Sequence, residues 1–225
     1  MNVTIKLSGH ILFPRLGVQP ALKGYVDVVK EIKAGGDNPF LVVGGGEPAR
    51  YYIGIARQNG SDESSCDQAG IAIANLNARI FARALGDEAC QFVPTSSDEL
   101  DKALTTGKIV VMGGLQPGQS TNAVSCILAE RTASRLLINT TTVDAVYSGD
   151  PKKDPTAKRY TSISVPELRR VLETVGSRAG EYDLIDPVAL KIIERSRIVT
   201  KVIDGRDPKN ILRAIGEDIG TTIVP

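Results

Sequence analysis

The chain has no tryptophan, one histidine and three cysteines, and carries almost no excess charge of either sign. Each scarcity excludes something. Twenty-seven Lys and Arg against 26 Asp and Glu leave a formal charge of +1, so no overall field recruits nucleic acid or an anionic membrane, and any anion must be bound locally. Cys66, Cys90 and Cys126 are odd in number and far apart, with no CxxC pair and no histidine cluster to complete a metal site. That pattern favours inert core thiols in a reducing compartment. No run approaches the roughly 18 apolar residues of a membrane span, and the opening "MNVTIKLSGH" has too short an apolar segment for a secretory signal. The expectation is a soluble cytoplasmic protein with no nucleic-acid or membrane partner. Internal repeats, low-complexity tracts and flexible linkers are missing too; the segment 148–161 is the longest stretch rich in charge and proline.

What is present is a chain of 225 residues, 42% hydrophobic and 24% charged, enough to bury a full core as one large domain or two intimate lobes. β-branched apolar runs recur, each ending in glycine or a small polar residue: 2–9, 40–46, 108–114, 135–141 and 198–205. Short unbroken runs of this kind fit strands buried on both faces. Helical patterns lie between them at 20–34, 48–59, 67–85, 97–105, 120–132, 165–174, 187–195 and 207–215. Pro48, Ser97, Asp186-Pro187 and Asp207-Pro208 supply helix-start signals. The alternation predicts an α/β fold on a parallel sheet.

In such a sheet, ligands gather at the carboxyl ends of the strands, where helix N-termini present free amides. Lys6, Ser8 and Gly9 end the first strand. Gly44-Gly45-Gly46 end the second; each glycine costs about 0.5–1 kcal/mol relative to alanine, so three together imply a steric demand that no side chain meets. The close approach of an anion to bare amides is one such demand, and a plain tight turn is another. After the third strand, "GGLQPGQST" combines backbone freedom with polar side chains, and Ser120 or Thr121 is placed to cap the next helix. Neither G-x-x-x-x-G-K-[ST] nor an opening G-x-G-x-x-G is present, so phosphate would be held by another arrangement.

The segments "KLSGH", "VVGGGEPARYYI", "VVMGGLQPGQSTNAV", "TTVDAVYSGDPKKDPTAKRY", "LIDPVALKIIERSRI" and "GTTIVP" run in order from the first strand to the last residue. As a set they resemble the amino acid kinase superfamily and, within it, the archaeal-type uridylate (UMP) kinase family. The resemblance implies one domain over 1–225, a three-layer α/β/α sandwich with a mainly parallel central sheet. Its acceptor half would span about 1–132 and its ATP half about 133–225, assembled as a homohexamer, a trimer of dimers. It implies phosphoryl transfer from ATP to UMP with Mg²⁺ held mostly by phosphates and water, and no dedicated metal ligands in the protein. Lys6 and Asp144 would be catalytic, Lys6 by neutralising transferring charge and Asp144 by organising that lysine. UMP would meet Gly44, Asp67 and the loop Leu115, Gln116, Pro117, Gly118, Gln119, Ser120 and Thr121. ATP would meet Lys6, Leu7, Ser8, Gly9, His10, Gly45, Arg50, Thr141, Tyr147 and Asp150. The chain departs from the family's "TNVDGVY" at Thr142 and Ala145, and from "GIxxTRxNA" at Ala74 and Asn75. Taken without the resemblance, His10 reads equally as a loop residue, Lys191 as surface and 150–159 as a solvated charged loop. A sister kinase for isopentenyl phosphate, carbamate or an amino acid carboxylate, and a non-catalytic nucleotide-binding or storage protein, stay open at this level.

Overall fold

The side chains of a strand point alternately to opposite faces, so a run buried throughout needs helices above and below it. The computed structural model, which describes residues 1–15, 17, 22–149, 154–175 and 185–225, supplies both layers. All five expected strands are present as β1 (Asn2–Leu7), β2 (Asn38–Val43), β3 (Val111–Met112), β4 (Leu136–Thr141) and β8 (Val199–Asp204). They join β9 (Thr221–Val224) and β7 (Ser162–Ser164) in a seven-stranded sheet of order β3-β2-β1-β4-β8-β9-β7. The pairings β1–β2, β1–β4, β2–β3, β4–β8 and β7–β9 are parallel, whereas β8–β9 is antiparallel. The sheet is therefore mainly, not wholly, parallel.

Odd residues of β1, namely Val3, Ile5 and Leu7, join a core with Tyr25 and Val29 of α2 (Leu22–Ala34), Phe81 and Leu85 of α4 (Glu63–Leu85) and Ile211 of α9 (Lys209–Gly216). The opposite face packs on α5 (Ser97–Leu104), α6 (Thr121–Arg131), α7 (Val165–Val175) and α8 (Pro187–Ser196), through Val42, Met112 and Leu128 at one end and Leu137, Val202 and Ile193 at the other. The first of these cores mixes residues 3–138 with Ile203, Ile211 and Ala214, so helices from both ends of the chain stabilise one face.

Helix starts follow local chemistry. Ser120 Oγ accepts from the amides of Asn122 and Ala123 at 3.0 and 3.1 Å, and Asp186 Oδ1 accepts from Val188 and Ala189 at 2.9 and 3.0 Å. Caps of this kind are worth about 1 kcal/mol each. The cap of α5 is Ser96 rather than Ser97, and α9 begins after Pro208, with Asp207 accepting from the Lys209 amide at 2.9 Å. Five features have no counterpart in the expected elements: the one-turn helix α1 (Gly9–Leu12), a 3₁₀ turn at Gly86–Glu88, the hairpin β5 (Val146–Tyr147) with β6 (Arg159–Tyr160), β7 and β9. They are two to four residues long, too short to display a period. Helix α3 (Gly46–Gln58) packs along α4 and leaves Tyr51, Tyr52 and Ile55, with Leu76 and Ile80 of α4, exposed.

Candidate active site

The chain runs from β1 outward to β2 and β3, then returns to the other side of β1 for β4 and β8. The order reverses at β1, and an open α/β sheet forms its crevice where that happens. The carboxyl ends of β3, β2, β1 and β4 therefore lie side by side on one edge. They carry, in that order, the loop 113–121, the glycine turn 44–46, the segment Lys6–His10 and the loop 141–147. The sequence-predicted residues fall into these four neighbouring stretches, except Arg50 and Asp67 on the flanking helices α3 and α4, and Asp150, which lies outside the described residues.

At the centre two backbone turns touch. A methyl group built on Gly9 would lie 2.2 Å from the Gly46 nitrogen and 2.6 Å from the Gly44 carbonyl oxygen; one on Gly46, whose φ is +67°, would lie 2.4 Å from the Gly9 oxygen. The glycines thus make room for one another, a demand distinct from the approach of an anion. Asn77 of α4 fixes the arrangement, its Nδ2 donating to the carbonyls of Gly44 and Gly45 at 3.0 and 3.1 Å. On the other side of β1, Thr140 Oγ1 donates to the Lys6 carbonyl and accepts from the Ser8 amide, both at 3.0 Å. Lys6 is paired in register with Asn139, so both face the α6 side of the sheet.

Beside this turn, His10 Nδ1 lies 2.9 Å from Glu47 Oε1, and Arg50 Nη1 lies 3.8 Å from the same oxygen. Burial, followed by the charge of Arg50, lowers the His10 pKa below 6.5 against the opposing pull of Glu47, with Lys6 adding to the depression. These surroundings favour the neutral imidazole, beside the cationic side chains of Arg50 and Lys6.

The loop after β3 and Asp67 come together, the Gly118 amide donating to Asp67 Oδ2 at 2.8 Å. Gly113 and Gly114 press on α4, where added methyl groups would meet Asn75 Oδ1 at 2.4 Å and Ile71 Cγ1 at 2.8 Å. The Gln119 and Asn122 side-chain oxygens are buried without a hydrogen-bond partner among the described residues, so the loop retains acceptors for a ligand or water. Ser120 Oγ also donates to Asp186 Oδ2, tying the start of α6 to the start of α8.

On the β4 side, Tyr147 donates to Asp144 Oδ1 at 2.8 Å and Arg159 Nε donates to Oδ2 at 3.0 Å. Partial burial opposes ionisation of Asp144, but these two bonds outweigh it and hold the carboxyl below its ordinary range. Reading the sequence for motifs missed Asn77, Thr140, Glu47 and Arg159. A polar residue among the buried Ala74, Ala78 and Phe81 is a signal for Asn77; nothing local marks Arg159, whose partners are 15 and 61 residues away.

A model of the amino acid kinase family matches residues 1–204. The chain is 43% identical to the uridylate kinase of Methanothermobacter thermautotrophicus over 225 residues, covering 100% of each. It is 46% identical to that of Methanosarcina barkeri over 209 residues, 92% of this chain and 88% of the other. Its backbone is similar to the crystal structure of uridylate kinase from Archaeoglobus fulgidus, with a TM-score of 0.87 and 38% identity over 100% of both chains.

Proposed function

Given that the chain belongs to the amino acid kinase family, we propose that it transfers the γ-phosphoryl group of ATP to UMP, forming UDP and ADP for pyrimidine nucleotide synthesis. One observation carries the reading: the loop assigned to the acceptor and the loop assigned to the donor flank the Lys6–His10 and Gly44–Gly46 turns on a single sheet edge. Two polyanions approaching from either side would meet over Lys6.

Phosphoryl transfer asks little covalent chemistry of a protein; it asks for alignment and for positive charge where negative charge builds up. The acceptor phosphate is itself the nucleophile, so no general base is needed. Lys6, held at the end of β1 by the Thr140 hydroxyl under its own carbonyl, supplies the charge. Amides of the touching glycine turns and Arg50 extend it. Asp67 and the loop 115–121 hold UMP, Thr141, Tyr147 and Asp150 hold ATP, and Asp144 organises Lys6. The acceptor half is 1–132 and the donor half 133–225. Mg²⁺ would come to this edge as an ion carried by the nucleotide, because it keeps phosphate and water ligands readily. It supplies charge neutralisation between the phosphates.

The exposed Tyr51, Tyr52, Ile55, Leu76 and Ile80 support assembly through α3 and α4, with the dimer as the unit of a hexamer. Among the described residues no helix is long and apolar enough to cross a membrane.

The test is ADP release from Mg-ATP with UMP, CMP, dTMP, isopentenyl phosphate, carbamate and acetylglutamate as acceptors, alongside Lys6→Ala. Turnover with UMP that falls at least about a hundredfold in Lys6→Ala is expected for loss of a transition-state charge. Turnover confined to another acceptor, or none with any, would reject the reading.

A further inference from the structure

The segment 150–159 reads as solvated charge, yet its last residue is built into the edge of the site. Arg159 stands directly opposite Tyr147 in the β5–β6 hairpin. Its Nε reaches Asp144 on the loop after β4, and its Nη2 donates at 3.4 Å to the carbonyl of Gly220, the residue before β9. One guanidinium thus joins three segments remote in sequence.

The Gly220 end of this link is rigid. Its φ is +73°, and a methyl group there would lie 2.1 Å from the Val202 oxygen, so the turn is pressed onto β8. Thr221 adds a second tie, its Oγ1 accepting from the Val146 amide at 2.8 Å and donating to the Tyr160 carbonyl. The stretch 142–145, in contrast, belongs to no helix or strand. It links β4 to β5 and carries Asp144. Its backbone is anchored by Val143, which packs on the core around Leu137, and by the fully buried Ala145; the Asp144 side chain between them is directed by two bonds, one from Tyr147 and one from Arg159.

We propose that Arg159 is a positioning residue for the donor nucleotide: by bracing Asp144 against Gly220, its guanidinium holds the loop 141–147 in the form that receives ATP. This rests on the donor loop assigned above, and it adds a residue that need not touch ATP at all. An ordinary exposed ion pair adds little, because two long side chains lose freedom to meet in water. Here the arginine fixes the direction of a carboxylate in the donor loop, and the gain appears as binding, since that side chain no longer has to be ordered by the ligand.

The experiment measures, by calorimetry, dissociation constants for Mg²⁺ with adenylyl imidodiphosphate and, separately, for UMP, in the full chain, Arg159→Gln and Arg159→Lys. Arg159→Gln should weaken the ATP analogue about three- to tenfold, the scale of a lost charge-assisted bond, and leave UMP within about twofold. Arg159→Lys should fall between, because an ammonium replaces one arm of the fork but not both. In steady state KM for ATP should rise more than kcat falls. Combining Arg159→Gln with Asp144→Asn should add little to the larger single effect, since both remove the same brace. Equal weakening of both ligands, no weakening, or fully additive effects would reduce Arg159 to a surface ion pair and overturn the proposal. If Arg159→Gln does not fold, Arg159→Lys decides by the same ratio. A wild-type chain that binds the ATP analogue but does not phosphorylate UMP would reject the acceptor and leave this test standing.

Discussion

Replacing Gly9 with alanine introduces a carbon 2.2 Å from the Gly46 nitrogen and 2.6 Å from both the carbonyl carbon and oxygen of Gly44. Comfortable contact between heavy atoms begins at about 3.5 Å, so the two turns must part by about 1 Å or more. Every obstacle is main chain, and the Gly44 and Gly45 carbonyls are held by Asn77, so no side chain can rotate away. Overpacking commonly costs about 1–3 kcal/mol, and this case belongs at the top of that range. For a chain of this size, about 3 kcal/mol corresponds to a fall in Tm of about 6–12 °C. The comparison is Gly216→Ala at the end of α9, where the added carbon meets nothing within 4 Å. There the smaller freedom of the unfolded chain should stabilise by about 0.4–1 kcal/mol. Urea unfolding and thermal melting of both variants therefore predict opposite signs. Gly9→Ala melting within about 2 °C of wild type would refute the mutual-clearance argument, because a contact that yields at that cost, about 1 kcal/mol, needs no glycine.

His10 ties stability to pH. Because its folded pKa is lowered, the unfolded chain takes the proton first as pH falls through 6.5, so stability declines below that point until the folded imidazole titrates too. His10→Gln should flatten this part of the stability curve, and an unchanged slope would count against the assigned environment. Burial pushes the Cys126 thiol up to about 12, and all three cysteines are buried, so a thiol reagent at mildly alkaline pH should label the native chain only as fast as it unfolds. Asp186→Ala removes the acceptor of two helix-start amides and should cost about 0.5–2 kcal/mol in urea unfolding, with Asp186→Asn costing less.

Long apolar runs told most of the fold, since burial on both faces leaves a mark on most residues of β1, β2, β4 and β8. The antiparallel β9 and the two-residue strands of the hairpin are set by partners distant in the chain and leave no local period. Of the site, residues in the glycine and loop motifs were legible because a turn at a strand end demands particular residue types. Thr140, Asn77 and Arg159 were not, because each acts through backbone carbonyls or a carboxylate supplied by another element. Conversely, the charged look of 150–159 concealed Arg159. Tyr147 was expected at ATP; its hydroxyl also holds Asp144, a duty only the folded register discloses.

The contact between Gly9 and the Gly44–Gly46 turn has a consequence for the mutational history open to this chain. A clash in an ordinary core can be repaired later by a smaller residue on the facing side. Here both sides already carry the smallest residue there is, so neither has anything left to give up. Any missense change at Gly9, Gly44 or Gly46 meets main chain and is beyond rescue by its direct neighbour, so reversion is the direct way back to the contact.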